Sequence, residues 1–343
     1  MHALKPPKLR PGDALALVSP AWGGAGLFPH RVELGRRQVE RLGYRLRIGE
    51  NALLRQGWVS ASPAQRAADI HTAFRDPEVR AVVAAIGGDH ANQLLPLLDF
   101  DLLRASPTIF MGYSDITVLN MAMWVMTGLV TFNGPAFITD FAEYPVMLPY
   151  TQRAMQQVLC HARPAGRIPP AEQWTEELLD WGQKLDLQRP RRMQPASGRV
   201  CVRPGAAQGH LLGGCLESLD HLRGTPYWPD EEQWRGALLF IETSEECPPP
   251  ARVDSILMDY ENMGVFPLIN GLLVGRPMGY TPEQKSELYA VLRERTERYG
   301  FPVLAEMDFG HTAPQCTLPL GCMAAFDAAE GTFELLEAAV EDV

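Results

Sequence analysis

Apolar residues in the first part of the chain come in short runs separated by stretches of helical spacing. Residues 13–19 form the first such run, followed by Gly23-Gly24-Ala25-Gly26, a helix-like stretch over 30–42, and a short second strand over 45–48. Strand, glycine-rich loop, helix and strand in that order form the βαβ pattern of a parallel sheet. Ser62-Pro63-Ala64-Gln65 supplies a serine cap, a first-turn proline and a glutamine three residues on, so it predicts a helix running to residue 74. Residues 79–86 then read as a central strand that runs into Gly87-Gly88-Asp89-His90. The run 107–111 breaks at Gly112 and passes through Tyr113-Ser114-Asp115 into an apolar segment of helix length, 116–126. A further strand over 129–132 and a helix over 151–159 complete this part.

The pattern changes over 163–198, which is rich in proline and charge and carries Trp174 and Trp181. That is too long for an ordinary connection, which makes it a working linker or a mobile one. Beyond it, Gly213-Gly214 reads as a turn and Glu217 as the start of a helical segment. Strands are expected over 237–241, ending in Glu242, and over 272–276 and 302–305. Thr281-Pro282-Glu283-Gln284 repeats the capped helix start. Residues 323–326 and 332–336, joined across Glu330-Gly331, read as a terminal hairpin. The expected division is 1–162, a linker over 163–198, and 199–343.

Composition narrows the functional classes. A chain of 343 residues with 46% hydrophobic content can bury a sizeable core in two domains. The net charge of −10 argues against nucleic acid or an anionic membrane as partner. No apolar run reaches membrane-spanning length. The basic opening, residues 1–8, is followed by an apolar run interrupted at Pro20, which does not make a secretory signal. The six cysteines are scattered with no Cys-x-x-Cys pair, the pattern of reduced thiols in a cytoplasmic protein.

Candidate chemistry centres on Ser114. A serine on a tight strand-to-helix turn is lifted out of the sheet beside helix N-terminal amides that favour negative charge, although the same turn also serves as a plain helix cap. The glycines at 87 and 88 end a buried parallel strand, where a ligand can approach the backbone. His311 lies in a Gly/Pro-bounded loop beyond a strand, and Glu217 begins a helix. A weak serine nucleophile needs a base and a group to orient it, and these residues are candidates for the two roles. No spacing suggests a metal site or a cofactor, and the glycines at 23–26 lack a dinucleotide or Walker pattern.

Gly112-Tyr113-Ser114-Asp115, Gly213-Gly214-Cys215-Leu216-Glu217-Ser218-Leu219 and Gly310-His311-Thr312 resemble the signature blocks of the LD-carboxypeptidase family of serine peptidases, which includes the microcin C immunity peptidases. The resemblance extends from Leu9 to Gly321. It implies an α/β fold: an amino-terminal flavodoxin-like (amidotransferase-like) parallel-sheet domain and a smaller carboxyl-terminal α/β domain with a swivelling-type sheet. It also implies Ser114 as nucleophile, His311 as general base and Glu217 as its orienting carboxylate. The backbone amides of Gly88 and Asp115 would form the oxyanion hole, with Gly87 or Asp89 as alternatives for the glycine. Members are typically metal-free homodimers.

Departures bear on the substrate. Cys215 stands where the family carries asparagine, and Asp89-His90 where murein-recycling members carry Tyr-Gly. The segment with Trp174, Asp180 and Trp181 looks like the immunity-peptidase branch, which implies a peptidyl- or aminoacyl-nucleotide substrate contacted by Asp89, His90 and one of the tryptophans. The alternative is a murein tetrapeptide losing its terminal D-alanine. A non-catalytic ligand-binding protein and an esterase are the other readings; Ile116 leaves the esterase elbow incomplete.

Overall fold

The computed structural model describes residues 3–343; Met1 and His2, which begin the basic opening stretch, lie outside the described residues. Apolar runs with no alternation bury both faces, and here they form the centre of a parallel sheet whose edge strand, Arg45–Ile48, is mostly exposed. Its order is Phe132–Asn133, Ile109–Gly112, Val79–Ala84, Ala14–Val18 and Arg45–Ile48, all parallel. Leu318–Pro319, from far along the chain, adds an antiparallel edge beside Phe132–Asn133. Both proline-led helix starts form: Ser62 and Thr281 each close a capping box, opening helices Pro63–Arg75 and Pro282–Thr296. Such caps contribute about 1 kcal/mol each.

A second sheet of eight strands has four parallel strands at its centre: Ala206–Cys215, Leu238–Glu242, Gly271–Gly275 and Val303–Met307. The expected terminal hairpin, Met323–Asp327 with Thr332–Leu335, pairs antiparallel along the outer half of Ala206–Cys215. Two expectations fail locally. Gly213-Gly214 is not a turn but the end of a strand, where the backbones crowd: a Cβ on Gly213 would lie 1.8 Å from the Phe240 carbonyl. The glycines at 23–26 form a one-turn helix, Gly24–Leu27, rather than an open loop.

The sheets meet behind Ser114. The Thr117 hydroxyl, in the first turn of helix Thr117–Thr127, accepts from the Cys215 amide at 3.0 Å. A Cβ on Gly214 would stand 2.4 Å from that hydroxyl. Residues 163–198 are a tethered strap. Its ribbon of Gln173–Trp174 with Gln194–Pro195 continues into reciprocal hydrogen bonds between Thr175 and Ala313, two residues from His311. Among the described residues, no helix is long and apolar enough to cross a membrane.

Candidate active site

Strand Ile109–Gly112 ends where the chain must turn, and Ser114 makes the turn at φ +62°. A non-glycine residue in that region costs roughly 1–3 kcal/mol and persists only where surrounding structure enforces it. The enforcement is visible. The Asp115 carboxylate is buried and accepts from the His90 and Ala91 amides, each at 2.8 Å, which ties the glycine loop to the turn. Burial raises the Asp115 pKa, and the two amides pull it back only in part. Gly87 packs so close that a Cβ would lie 2.7 Å from Ser114 Oγ and 3.1 Å from the Asp115 amide. The Trp22 amide donates to the Gly87 carbonyl at 3.1 Å, and Gly88 follows at φ +147°. Glycine is therefore required at both positions: at Gly87 by space, at Gly88 by backbone conformation.

The imidazole comes from the other sheet. His311 follows strand Val303–Met307, and its Nδ1 lies 2.7 Å from the Glu242 carboxylate, the last residue of strand Leu238–Glu242. The approach depends on Gly310, at φ +99°, where a Cβ would meet Glu242 Oε2 at 2.7 Å. Nε2 lies 3.0 Å from Glu245, whose side chain is 55% exposed. Burial would lower the imidazole pKa, but the charges and hydrogen bonds of Glu242 and Glu245 outweigh it and hold it at about 10. Among the described residues, no hydrogen bond joins Ser114 Oγ to His311. The two side chains nevertheless line one cleft of about 590 Å³, and the Tyr113 ring packs edge-on to His311 at 5.2 Å.

Glu217 is not the carboxylate on His311. Its carboxylate accepts from the amide and hydroxyl of Ser244, at 3.0 and 2.7 Å, and so anchors the loop between Glu242 and Glu245. The signal for Glu242 was present, as a charged residue at the carboxyl end of a buried parallel strand, the edge where ligands bind in open α/β sheets. Nothing in the sequence marks Glu245, because only folding brings its turn to His311.

The other expected residues divide. Asp89 and Trp181 line the cleft. Trp181 is held by the Arg31 guanidinium 4.5 Å from its ring and by Phe28 edge-on at 5.4 Å. Trp174 does not line it; its ring lies beside Arg276 and Lys285, at 5.0 and 5.2 Å, where it fastens the strap. His90 contributes its backbone to Asp115, and its ring lies 6.1 Å from that of Trp58. Sequence reasoning missed the aromatic wall of Trp22, Phe28 and Trp58: the first two flank the one-turn helix Gly24–Leu27, and the third comes from the connection before helix Pro63–Arg75. Among the described residues, no group of three or more His, Cys, Asp or Glu side chains could hold a metal ion.

A two-sheet α/β chain with this cleft matches known proteins along its length. Residues 15–134 match the LD-carboxypeptidase N-terminal domain and residues 208–326 the LD-carboxypeptidase C-terminal domain. The chain belongs to the LD-carboxypeptidase family, a family of peptidases. YocD of Bacillus subtilis strain 168, named as a carboxypeptidase, is 34% identical over 95% of this chain and 96% of its own length. A protein of the same organism named as a probable murein peptide carboxypeptidase is 32% identical, over 98% and 96%. A solved structure of the microcin C7 self-immunity protein MccF with aspartyl sulfamoyl adenosine superposes with a TM-score of 0.89 at 27% identity, covering 98% of this chain and all of that one.

Proposed function

We propose that this chain is a serine peptidase that cleaves an amide bond through an acyl-enzyme, with Ser114 as nucleophile, His311 as base and Glu242 as the carboxylate that orients it. The observation that carries the reading is the left-handed turn at Ser114, facing across one cleft an imidazole whose Nδ1 is fixed by a fully buried glutamate. In this reading Ser114 Oγ attacks the carbonyl carbon as its proton passes to Nε2. The imidazolium is stabilised by Glu242. The amides of Gly88 and Asp115 receive the developing oxyanion, which supports charge where it forms. His311 then returns its proton to the leaving nitrogen, and water, activated the same way, frees the acyl group.

The aromatic wall supports an aminoacyl- or peptidyl-nucleotide over a murein tetrapeptide. Trp22, Phe28, Trp58 and Trp181 offer faces and edges to a base, and the MccF relative binds such a ligand. A murein tetrapeptide has no planar ring to lay against that wall. The test compares turnover of an aminoacyl-sulfamoyl adenosine and a murein tetrapeptide by wild type and Ser114→Ala. Expected is faster turnover of the nucleotide analogue and a loss on the order of 10⁶ on removing the serine. Hydrolysis undiminished in Ser114→Ala would overturn the mechanism, and preference for the tetrapeptide would overturn the substrate class.

A further inference from the structure

The ionisable groups lining the cleft are unbalanced. Asp89, Asp180 and Glu245 face it, while among the described residues its one basic side chain is His311, already paired with two carboxylates. Two arginines lie behind the wall, lining a side cavity of about 70 Å³, and both are engaged. Arg31 holds Asp186 at 2.9 Å and the carbonyls of Ile138 and Thr139; Arg191 is bonded to Glu143. An anionic acyl side chain beside Glu245 finds no free cation among the described residues lining the cleft. A cationic one meets three carboxylates.

Of the three carboxylates lining the cleft, Glu245 is the one in contact with His311. Its contact is with Nε2, the nitrogen that must exchange a proton with Ser114, so its carboxylate reaches the region where an acyl group would lie. The loop beneath it is anchored, because Glu217 grips the amide and hydroxyl of Ser244. The Glu245 side chain itself is half exposed, so water can solvate it when it lets go of the ring.

We propose that Glu245 determines the specificity of the cleft by recognising a positively charged acyl side chain, exchanging its hold on His311 Nε2 for the substrate's ammonium or guanidinium. The proposal rests on the reading of this cleft as the hydrolytic site. Once Glu245 turns to the substrate, Nε2 loses one of the two charges that keep it protonated. Its proton passes to solvent, and its lone pair becomes available to the Ser114 hydroxyl. A substrate with an acidic side chain repels Glu245 and leaves it on His311. Specificity then comes from an unfavourable contact with the wrong ligand as much as from a favourable one with the right one.

The experiment separates recognition from turnover. Lysyl-, leucyl- and aspartyl-sulfamoyl adenosine are titrated calorimetrically into Ser114→Ala, and again into Ser114→Ala with Glu245→Gln. Expected is the order lysyl, leucyl, aspartyl, with about tenfold or more between the first and last, as a charge pair of this exposure can supply. Glu245→Gln should collapse that ratio to roughly threefold or less. Equal binding, preference for the aspartyl compound, a ratio unchanged by Glu245→Gln, or no binding at all overturns the proposal. Turnover is read separately on wild type: lysyl preference without hydrolysis supports cation recognition and overturns the peptidase reading.

Discussion

The two sides of the His311 ring are built differently. On the Nδ1 side, Glu242 ends a buried strand, is itself buried, and is confined by two glycines: a Cβ at Gly275 would lie 2.8 Å from the Glu242 Cβ, and one at Gly310 would strike its carboxylate. On the Nε2 side, Glu245 sits on a turn with its side chain half exposed. The first carboxylate has nowhere else to go, which suits a group that fixes a tautomer through a reaction cycle. The second has solvent beside it to turn into, although the imidazole it would leave is buried. Each contact is near 3 Å, so distance alone would rank them as equals. Burial and confinement separate a permanent partner from a displaceable one.

That contrast can be broken by experiment. Glu242→Gln keeps the shape but removes the charge that stabilises the imidazolium, and kcat should fall by roughly 10⁴. A loss under tenfold would mean that Glu242 is not the orienting carboxylate.

The pH dependence tests both sides together. The groups around the ring are Glu242, Glu245, Tyr113 and, at longer range, Cys247. With His311 held near pKa 10, its neutral form is scarce in the free enzyme. For a neutral leucyl substrate, kcat/KM should therefore rise with pH toward 10, and Glu245→Gln should move that limb to lower pH. Stability follows the opposite course. The folded pKa lies above the ordinary 6.5, so the stabilisation from protonated His311 is complete below pH 6.5 and is lost as pH rises toward and through 10. Urea midpoints across that window should decline in wild type and decline less in Glu245→Gln. An identical decline in both would show that Glu245 does not couple to the ring.

The smallest effect is expected at Glu217. Glu217→Gln keeps an oxygen to accept from the Ser244 amide, so kcat should drop by about tenfold or less, through loosening of the loop that carries Glu245. A loss as deep as that of Glu242→Gln would restore Glu217 to the role the family resemblance implied.

The elements, and two of the three residues proposed to react, could be read along the chain. Short apolar runs marked buried strands, the Ser-Pro-x-Gln and Thr-Pro-x-Gln starts marked helices, and Ser114 and His311 lay just past strand ends. Those signals are local, because backbone conformation and capping depend on neighbours a few residues away. Tertiary structure decided which glutamate meets the imidazole, which tryptophan reaches the cleft and which fastens the strap, and that a turn glutamate covers Nε2. Glu242 ends one central strand and Glu217 lies two residues past the end of its neighbour, and Trp174 and Trp181 share one strap. Choosing within each pair depends on contacts across dozens of residues, set by how two sheets and their glycine-lined strand ends pack.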